Sequence, residues 1–320
     1  MPRRYTLNPC GSGELGAVIT DLDLATIVEY DLEYLKHDWL KYKVIIIKNQ
    51  HELTAEQFAR LGEQWEGEFE LHEQQVERGK NHGVGHEERS GIESTGHPAI
   101  HAIHHHRESP AVENYWHVDT SYLEYPQFIT AIHMLEKPGP GGDTMWANTN
   151  AMYENMNPIL KEKAHGKTAR HGARFKETDP KELVSHPLIM VHPETGLYHL
   201  YANPYFTRYV DGMEEQQGFM LLRHMYDNNL PEFQYRHVWE KGDVAIWDNR
   251  SVWHYAVSDY WPKERKIQRW IKFDTSRPQA FDMAPNVLDS ENGLLRRRNA
   301  KYRGQVERLK NRTSFNGIDD

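Results

Sequence analysis

Short apolar runs alternate with polar turns along most of this chain. The first, "LGAVITD" at 15–21, reads as a strand, and "LDLATIVEYDLEYLKHDWLKY" at 22–42 reads as a helix from apolar residues at three- and four-residue steps. "KVIIIKN" at 43–49 is nearly continuous in apolar residues, the pattern of a strand buried on both faces. "LTAEQFARLGEQW" predicts a helix opened by a capping box, with Thr54 as N-cap and Gln57 three residues on. From 73 to 98 the chain turns polar, rich in Gly, His and Glu, and no period is evident. That predicts a long loop, the kind that acts as a lid or stays disordered. A series of short strand-like segments follows: "AIHAIHHH", "YWHVDTSY", "FITAIHMLE", "DTMWANT", "PLIMVHP", "LYHLYAN", "HVWE", "DVAIWDN", "VWHYAVSD" and "RKIQRWIKFD". Gly- and Pro-rich turns such as "KPGPGG" separate them, and helical insertions interrupt them near 150–166 and 214–230. Many short strands spaced by turns predict a sandwich or barrel. The basic stretch at about 293–320 reads as a helical tail, solvated or in a subunit contact.

Composition narrows the picture. A chain of 320 residues suits one large domain, and nine Trp and seventeen Tyr supply material for a core. A net charge of -9 argues against nucleic acid or a membrane surface as partner. The single cysteine, Cys10, excludes a disulfide framework and a Cys-type zinc site. No run is long and apolar enough to span a bilayer, and the arginines of "MPRRYTLNPCGSGELG" lack the apolar stretch of a signal peptide. A cytoplasmic, reducing location is the expectation.

Candidate chemistry gathers in three places. In "ENYWHVDTSYLEYP", read as a strand, Tyr115, His117, Asp119 and Ser121 share one face, and Trp116, Val118 and Thr120 share the other. The polar face is either exposed, a His–Asp pair within a core, or a pair of metal ligands. His254, in the strand-like "SVWHYAVSD", could add a third ligand, giving the facial triad of non-haem iron oxygenases with open coordination positions. In "RKIQRWIKF" the face bearing Arg265, Ile267, Arg269, Ile271 and Phe273 is the more apolar and is expected to point inward. Inward guanidinium groups need anions, either carboxylates of the chain or a carboxylate or sulfonate ligand. The histidines of "HAIHHHRE" (His101, His104, His105, His106) put only His104 and His106 side by side on one strand face. They read as surface or hydrogen-bonded residues rather than a second metal site.

Together "WHVDTSY", "PGPGGDTMWANT", "HPETGLYHLYAN" and "KGDVAIWDNRSVWHYAVSDY" resemble the taurine dioxygenase (TauD/TfdA-like) family of Fe(II)- and 2-oxoglutarate-dependent dioxygenases, as does the placement of Arg265 and Arg269 after His254. The likeness begins at "LGAVITDLDL" and fades in the His-rich loop and the tail. It implies a mainly β chain with helices (α+β): a double-stranded β-helix, or jelly roll, with flanking helices, forming one catalytic domain over 1–320. It implies His117, Asp119 and His254 as iron ligands and Arg265 with Thr144 as the holders of the distal carboxylate of 2-oxoglutarate. It implies Arg269 at the anionic group of the primary substrate, and Trp116, Trp247 and Tyr122 as walls. Oxidative decarboxylation of 2-oxoglutarate with O2 would then drive hydroxylation of a substrate C–H, with possible C–S or C–O cleavage. Because Asp119 keeps the carboxylate, halogenation is not expected.

This chain also departs from the taurine-oxidising members. His72 in "ELHEQ" stands where a sulfonate-binding histidine is expected, in different surroundings, and Glu113, followed by Asn114, stands where those members carry an asparagine. The expected substrate is therefore a small organic anion, a sulfonate, sulfate ester or carboxylate, met by Arg269, His72, Asn114 and Tyr122. The expected state is a homo-oligomer, dimer or tetramer. The alternatives are a metal-dependent hydrolase on the same three ligands, which would leave the inward arginines without a co-substrate, and a non-catalytic jelly-roll binding protein.

Overall fold

The computed structural model describes residues 3–11, 14–71, 73–74, 77, 92–106, 114–173, 183–260 and 262–280. The tail expected at 293–320 lies outside them, as does most of the polar stretch 73–98, at whose end a short strand forms at Ile92–Ser94.

The strands are β1 (Thr6–Pro9), β2 (Ala17–Thr20), β3 (Val44–Ile47), β4 (Glu68–Phe69), β5 (Ile92–Ser94), β6 (His101–His105), β7 (Gln127–Glu136), β8 (Thr144–Asn148), β9 (Thr168–His171), β10 (Val184–Pro187), β11 (Ile189–Val191), β12 (Tyr198–Leu200), β13 (Thr207–Val210), β14 (Gln234–His237), β15 (Val244–Asp248), β16 (Val252–Ala256) and β17 (Arg265–Phe273). The helices are α1 (Glu29–Tyr42), α2 (Ala55–Gly62), α3 (Thr149–Asn155), α4 (Pro158–Ala164) and α5 (Glu215–Tyr226).

A large sheet runs β1-β2-β3-β15-β7-β17-β6-β5, with β4 also on β17, and a smaller sheet runs β14-β8-β16. Alternation along the strands builds the layers. In β3 and β15, Ile45, Ile47, Val244 and Ile246 pack outward against α1 and α2, beside Leu35, Trp39 and Phe58. Val44, Ile46, Ala245 and Trp247 face the other way and meet Trp146 and Val252 of the small sheet. On the far side of the small sheet, Ala147 and Trp253 pack against α3, α4 and α5. The order is helices, large sheet, small sheet, helices: a double-stranded β-helix with helical flanks, as expected.

Several local expectations change. The first helix begins at Glu29, not residue 22, because Asp23 accepts from the Ala25 N–H (2.9 Å) and the Thr26 hydroxyl (2.7 Å) and holds a turn there. The Thr54–Gln57 capping box forms as read, worth about 1 kcal/mol. β1, β9 and β13 were not legible as strands, and "HVWE" contributes only His237 to a strand. The inward face of β17 is as predicted, but its opposite face is buried too: Gln268, Trp270 and Lys272 lie beneath the outer layer. The Lys272 ammonium donates to the Gly62 carbonyl at 3.2 Å and to that of Trp65, satisfying acceptors at the end of α2.

Candidate active site

"YWHVDTSY" is not a strand. His117 makes one antiparallel bridge to His254: its N–H donates to the His254 carbonyl (3.1 Å), and the His254 N–H donates back (2.9 Å). The chain then turns, with Thr120 in the left-handed region at φ 48° and its hydroxyl accepting from the Gln127 N–H at 2.9 Å. The turn swings Asp119 against the two imidazoles. One carboxylate oxygen lies 3.4 Å from His117 Nε2 and 3.5 Å from His254 Nε2, and the two rings are 4.0 Å apart. One donor atom from each of the three residues lies within 4.8 Å of the others, the convergence a metal ion requires.

The surroundings orient this set. His117 Nδ1 sits 2.8 Å from the Tyr115 carbonyl, which can only accept, so Nδ1 carries the proton and Nε2 presents its lone pair. Asp119 Oδ2 accepts from the Thr130 hydroxyl at 3.2 Å; that hydroxyl accepts from Asn249 Nδ2 at 2.9 Å, and Asn249 Oδ1 from the Trp247 indole at 3.0 Å. Trp247 also packs 5.2 Å from the His254 ring, as the wall role required. In the metal-free protein burial pushes the Asp119 carboxyl up, but His254 and His117 in their protonated forms outweigh it and hold it well below the usual carboxylate range. Asp119 is the most open of the three, its side chain 23 % exposed against 4 % for His117.

On the inner face of β17, Arg265 is buried, and its guanidinium lies 5.5 Å over the Tyr260 ring. Its Nη2 donates to His105 Nδ1 at 3.2 Å, and its Nε has no hydrogen-bond partner among the described residues. The Nε of half-buried Arg269 is likewise buried and unpartnered among them. Neither arginine forms an ion pair with a described carboxylate. Thr144 is buried at the start of β8, and its oxygen accepts from the Trp239 indole at 3.0 Å, which leaves the hydroxyl hydrogen to donate.

The substrate-side expectations divide. Tyr122 is buried 4.9 Å from the Phe206 ring, which in turn lies 6.1 Å from His117. Asn114 is exposed, and His72 lies outside the described residues, as does Glu113. Trp116 packs on Tyr255 and the outer helical layer rather than lining the triad. Sequence reasoning missed Thr130 and Asn249. "WDN" beside "R-x-x-x-H" carried a signal for Asn249, whereas Thr130 has only its inward position on β7. A cavity of about 400 Å³, lined by Gln127, Phe128, His192, Tyr201, Arg250 and Arg277, includes none of the triad's members. A second set with ligand spacing, His192, Glu194 and Asp248, already holds a cation. Arg250 binds Asp248 through Nε (2.9 Å) and Nη2 (2.8 Å) and reaches Glu194 at 2.9 Å.

Comparison with known proteins agrees with this geometry. The sequence profile described as "Taurine catabolism dioxygenase TauD, TfdA family" matches residues 6–271. An alkylsulfatase of Acinetobacter baylyi is 35% identical over 177 residues, 49% of this chain and 55% of that protein. An alpha-ketoglutarate-dependent sulfate ester dioxygenase of Pseudomonas putida is 32% identical over 179 residues, 49% of this chain and 58% of that protein. The chain thus spans little more than half the length of these curated relatives. The crystal structure of a taurine dioxygenase from Burkholderia xenovorans superposes with a TM-score of 0.70 at 26% identity, covering 88% of this chain and 96% of the other.

Proposed function

Because the chain belongs to the taurine catabolism dioxygenase TauD, TfdA family, we propose that it is an Fe(II)- and 2-oxoglutarate-dependent dioxygenase acting on a small organic anion, a sulfate ester or sulfonate first. The observation that carries this reading is a buried arginine, Arg265, with no carboxylate partner among the described residues, on the large sheet's inner face, opposite the small sheet that bears His254. A hydrolase on the same three ligands gives that charge no purpose, and a passive binding module gives none to the three converging metal-ligand side chains.

In this reading His117, Asp119 and His254 hold Fe(II). The donor set fits: two neutral imidazole nitrogens and one carboxylate leave positions open for co-substrate and O2. Bound iron with 2-oxoglutarate and O2 supplies the oxidising power to hydroxylate an unactivated C–H. The chain does the rest. Arg265 and the Thr144 hydroxyl hold the distal carboxylate, and Arg269 takes the anionic head of the substrate, which sets the carbon to be oxidised. Tyr122 and Phe206 exclude water on the His117 side. Hydroxylation at a carbon bearing an ester oxygen or sulfur gives an unstable product. It collapses to an aldehyde and releases sulfate or sulfite, while 2-oxoglutarate ends as succinate and CO2. The sulfate-ester preference is supported by the alkylsulfatase and the sulfate ester dioxygenase among the relatives.

The shared interior of the described layers supports reading the chain as one catalytic domain. Its lone cysteine suits a reducing cytoplasm, and no helix among the described residues is long and apolar enough to cross a membrane. A homo-oligomer remains our expectation, checked by sedimentation. The test of function is anaerobic. Fe(II) and 2-oxoglutarate added to metal-free protein should give the weak visible charge-transfer band of the chelate, lost in Asp119→Ala and weakened in Arg265→Ala. Bound metal without a band in the wild type would overturn the assignment.

A further inference from the structure

We propose that His105 is a positioning residue for Arg265: it accepts a hydrogen bond from one edge of the guanidinium and so presents the other edge to the distal carboxylate of 2-oxoglutarate. This inference rests on the dioxygenase reading above.

The argument begins with register. β6 and β17 pair antiparallel with His105 opposite Arg265, Ile103 opposite Ile267, and His101 opposite Arg269. Ile103 and Ile267 lie in the interior cluster with Trp247, the tryptophan that packs on His254. By alternation the neighbours two residues away share that face, so His105 and His101 look inward with the two arginines. Both imidazoles are buried, His101 at 0 % and His105 at 8 % exposed. A histidine on a buried inner strand face is a costly choice where an aliphatic residue would pack.

The contact itself fixes the chemistry. Arg265 Nη2 lies 3.2 Å from His105 Nδ1. A guanidinium can only donate, so Nδ1 is unprotonated and the imidazole presents a lone pair. An acid at this position would also orient the arginine, but it would neutralise it and compete with the incoming carboxylate. A neutral imidazole orients without cancelling charge. Nε of Arg265 remains unpartnered among the described residues, so the guanidinium keeps donors for a bidentate carboxylate. Holding the long side chain in one rotamer before ligand binds removes part of the ordering cost that binding otherwise carries.

The experiment compares His105→Phe, His105→Asn and His105→Gln by anaerobic titration of 2-oxoglutarate into Fe(II)-loaded protein. The charge-transfer band and calorimetric heat are the readouts. Phe keeps the shape and removes the acceptor, and should raise the 2-oxoglutarate Kd about tenfold, the scale of one hydrogen bond to a charged group. Asn places an amide oxygen where Nδ1 stood and should return the Kd to within about threefold of wild type, within the spread expected for one neutral acceptor replacing another. Gln puts its oxygen at the Nε2 position and should not. Fe(II) affinity should not change in any variant. An unchanged Kd in His105→Phe, or equal Kd values for Asn and Gln, overturns the proposal while leaving the dioxygenase reading intact. Should the Phe variant not fold, the Asn–Gln pair decides. A wild-type protein that gives neither band nor heat overturns both readings together. Wild-type binding that Arg265→Ala leaves unchanged removes the role of Arg265 and that of His105 with it.

Discussion

Two buried arginines fifteen residues apart meet opposite fates. Arg250, after β15, is gripped by Asp248 on two nitrogens, reached by Glu194, and covered by the Phe128 ring at 4.9 Å. His192 completes the cluster, with Nε2 2.8 Å from Asp248 and Nδ1 accepting from the Thr195 N–H. The guanidinium there has its counter-charge within the fold. Arg265, equally buried, has an imidazole and an aromatic face but no anion among the described residues. A buried charge that is answered locks local structure. One left unanswered raises the energy of the fold until a ligand arrives, and so marks a binding site. The same test separates two clusters whose spacing alone could suit a metal: His117–Asp119–His254 converges with no lysine or arginine paired to it among the described residues, and His192–Glu194–Asp248 is already occupied by a guanidinium.

The sharpest way to break this comparison is to cut each cluster at its aspartate. Asp119→Ala removes one of the three proposed metal ligands and should lower turnover of any substrate by at least about a thousandfold, more than the 10- to 100-fold typical of outer contacts. Its loss of stability without metal should be small beside that of Asp248→Ala. Asp248→Ala should do the reverse. It strands Arg250 in the interior and should cost about 3–5 kcal/mol in denaturant unfolding. At temperatures where it remains folded, its 2-oxoglutarate affinity should be near normal. A stability loss in the first variant matching that in the second would show that the two clusters are not different in kind.

Acid separates them further. Burial raises the Asp248 carboxyl, but the charge of Arg250 and a hydrogen bond from His192 outweigh it and hold it far below the normal carboxylate range. A depressed carboxyl contributes stability above its unfolded pKa of about 4, and that contribution fades as pH falls through its folded value. Stability should therefore drop steeply on the acid side of pH 4. In Asp248→Asn, already weaker at pH 7, that slope should be shallower; equal slopes would place the acid sensitivity elsewhere.

The sequence carried the three residues that converge, and the inward placement of Arg265 and Arg269, because each depends on residue type and spacing within one strand or motif. It did not carry how His117 and Asp119 are held. A strand was the natural reading of "YWHVDTSY", yet only His117 pairs. The turn after it depends on Thr120 at positive φ, a cost for a β-branched residue that neighbours such as Gln127 offset. The same limit hid the role of His105, which exists only through its register opposite Arg265. Lys272 reads as solvent-facing until the end of α2 supplies the carbonyls that bury it. What was illegible was tertiary: pairings between distant segments leave no period in either one.

The smallest effect comes from the residue that joins the two regions. "WDN" gives Asp248 to the closed cluster and Asn249 to the open one, and Thr130 is the hydroxyl through which Asn249 reaches Asp119. Thr130→Val keeps the shape but removes both the donor to Asp119 and the acceptor for Asn249. Fe(II) affinity should fall about tenfold, the low end for an outer contact. Unfolding should ease by about 1–2 kcal/mol, from the stranded Asn249 amide. Thr130→Ser retains both bonds and should recover the affinity. If it does not, the methyl group rather than the hydroxyl matters, and Asp119 is oriented by the Asp119–Thr120 turn alone.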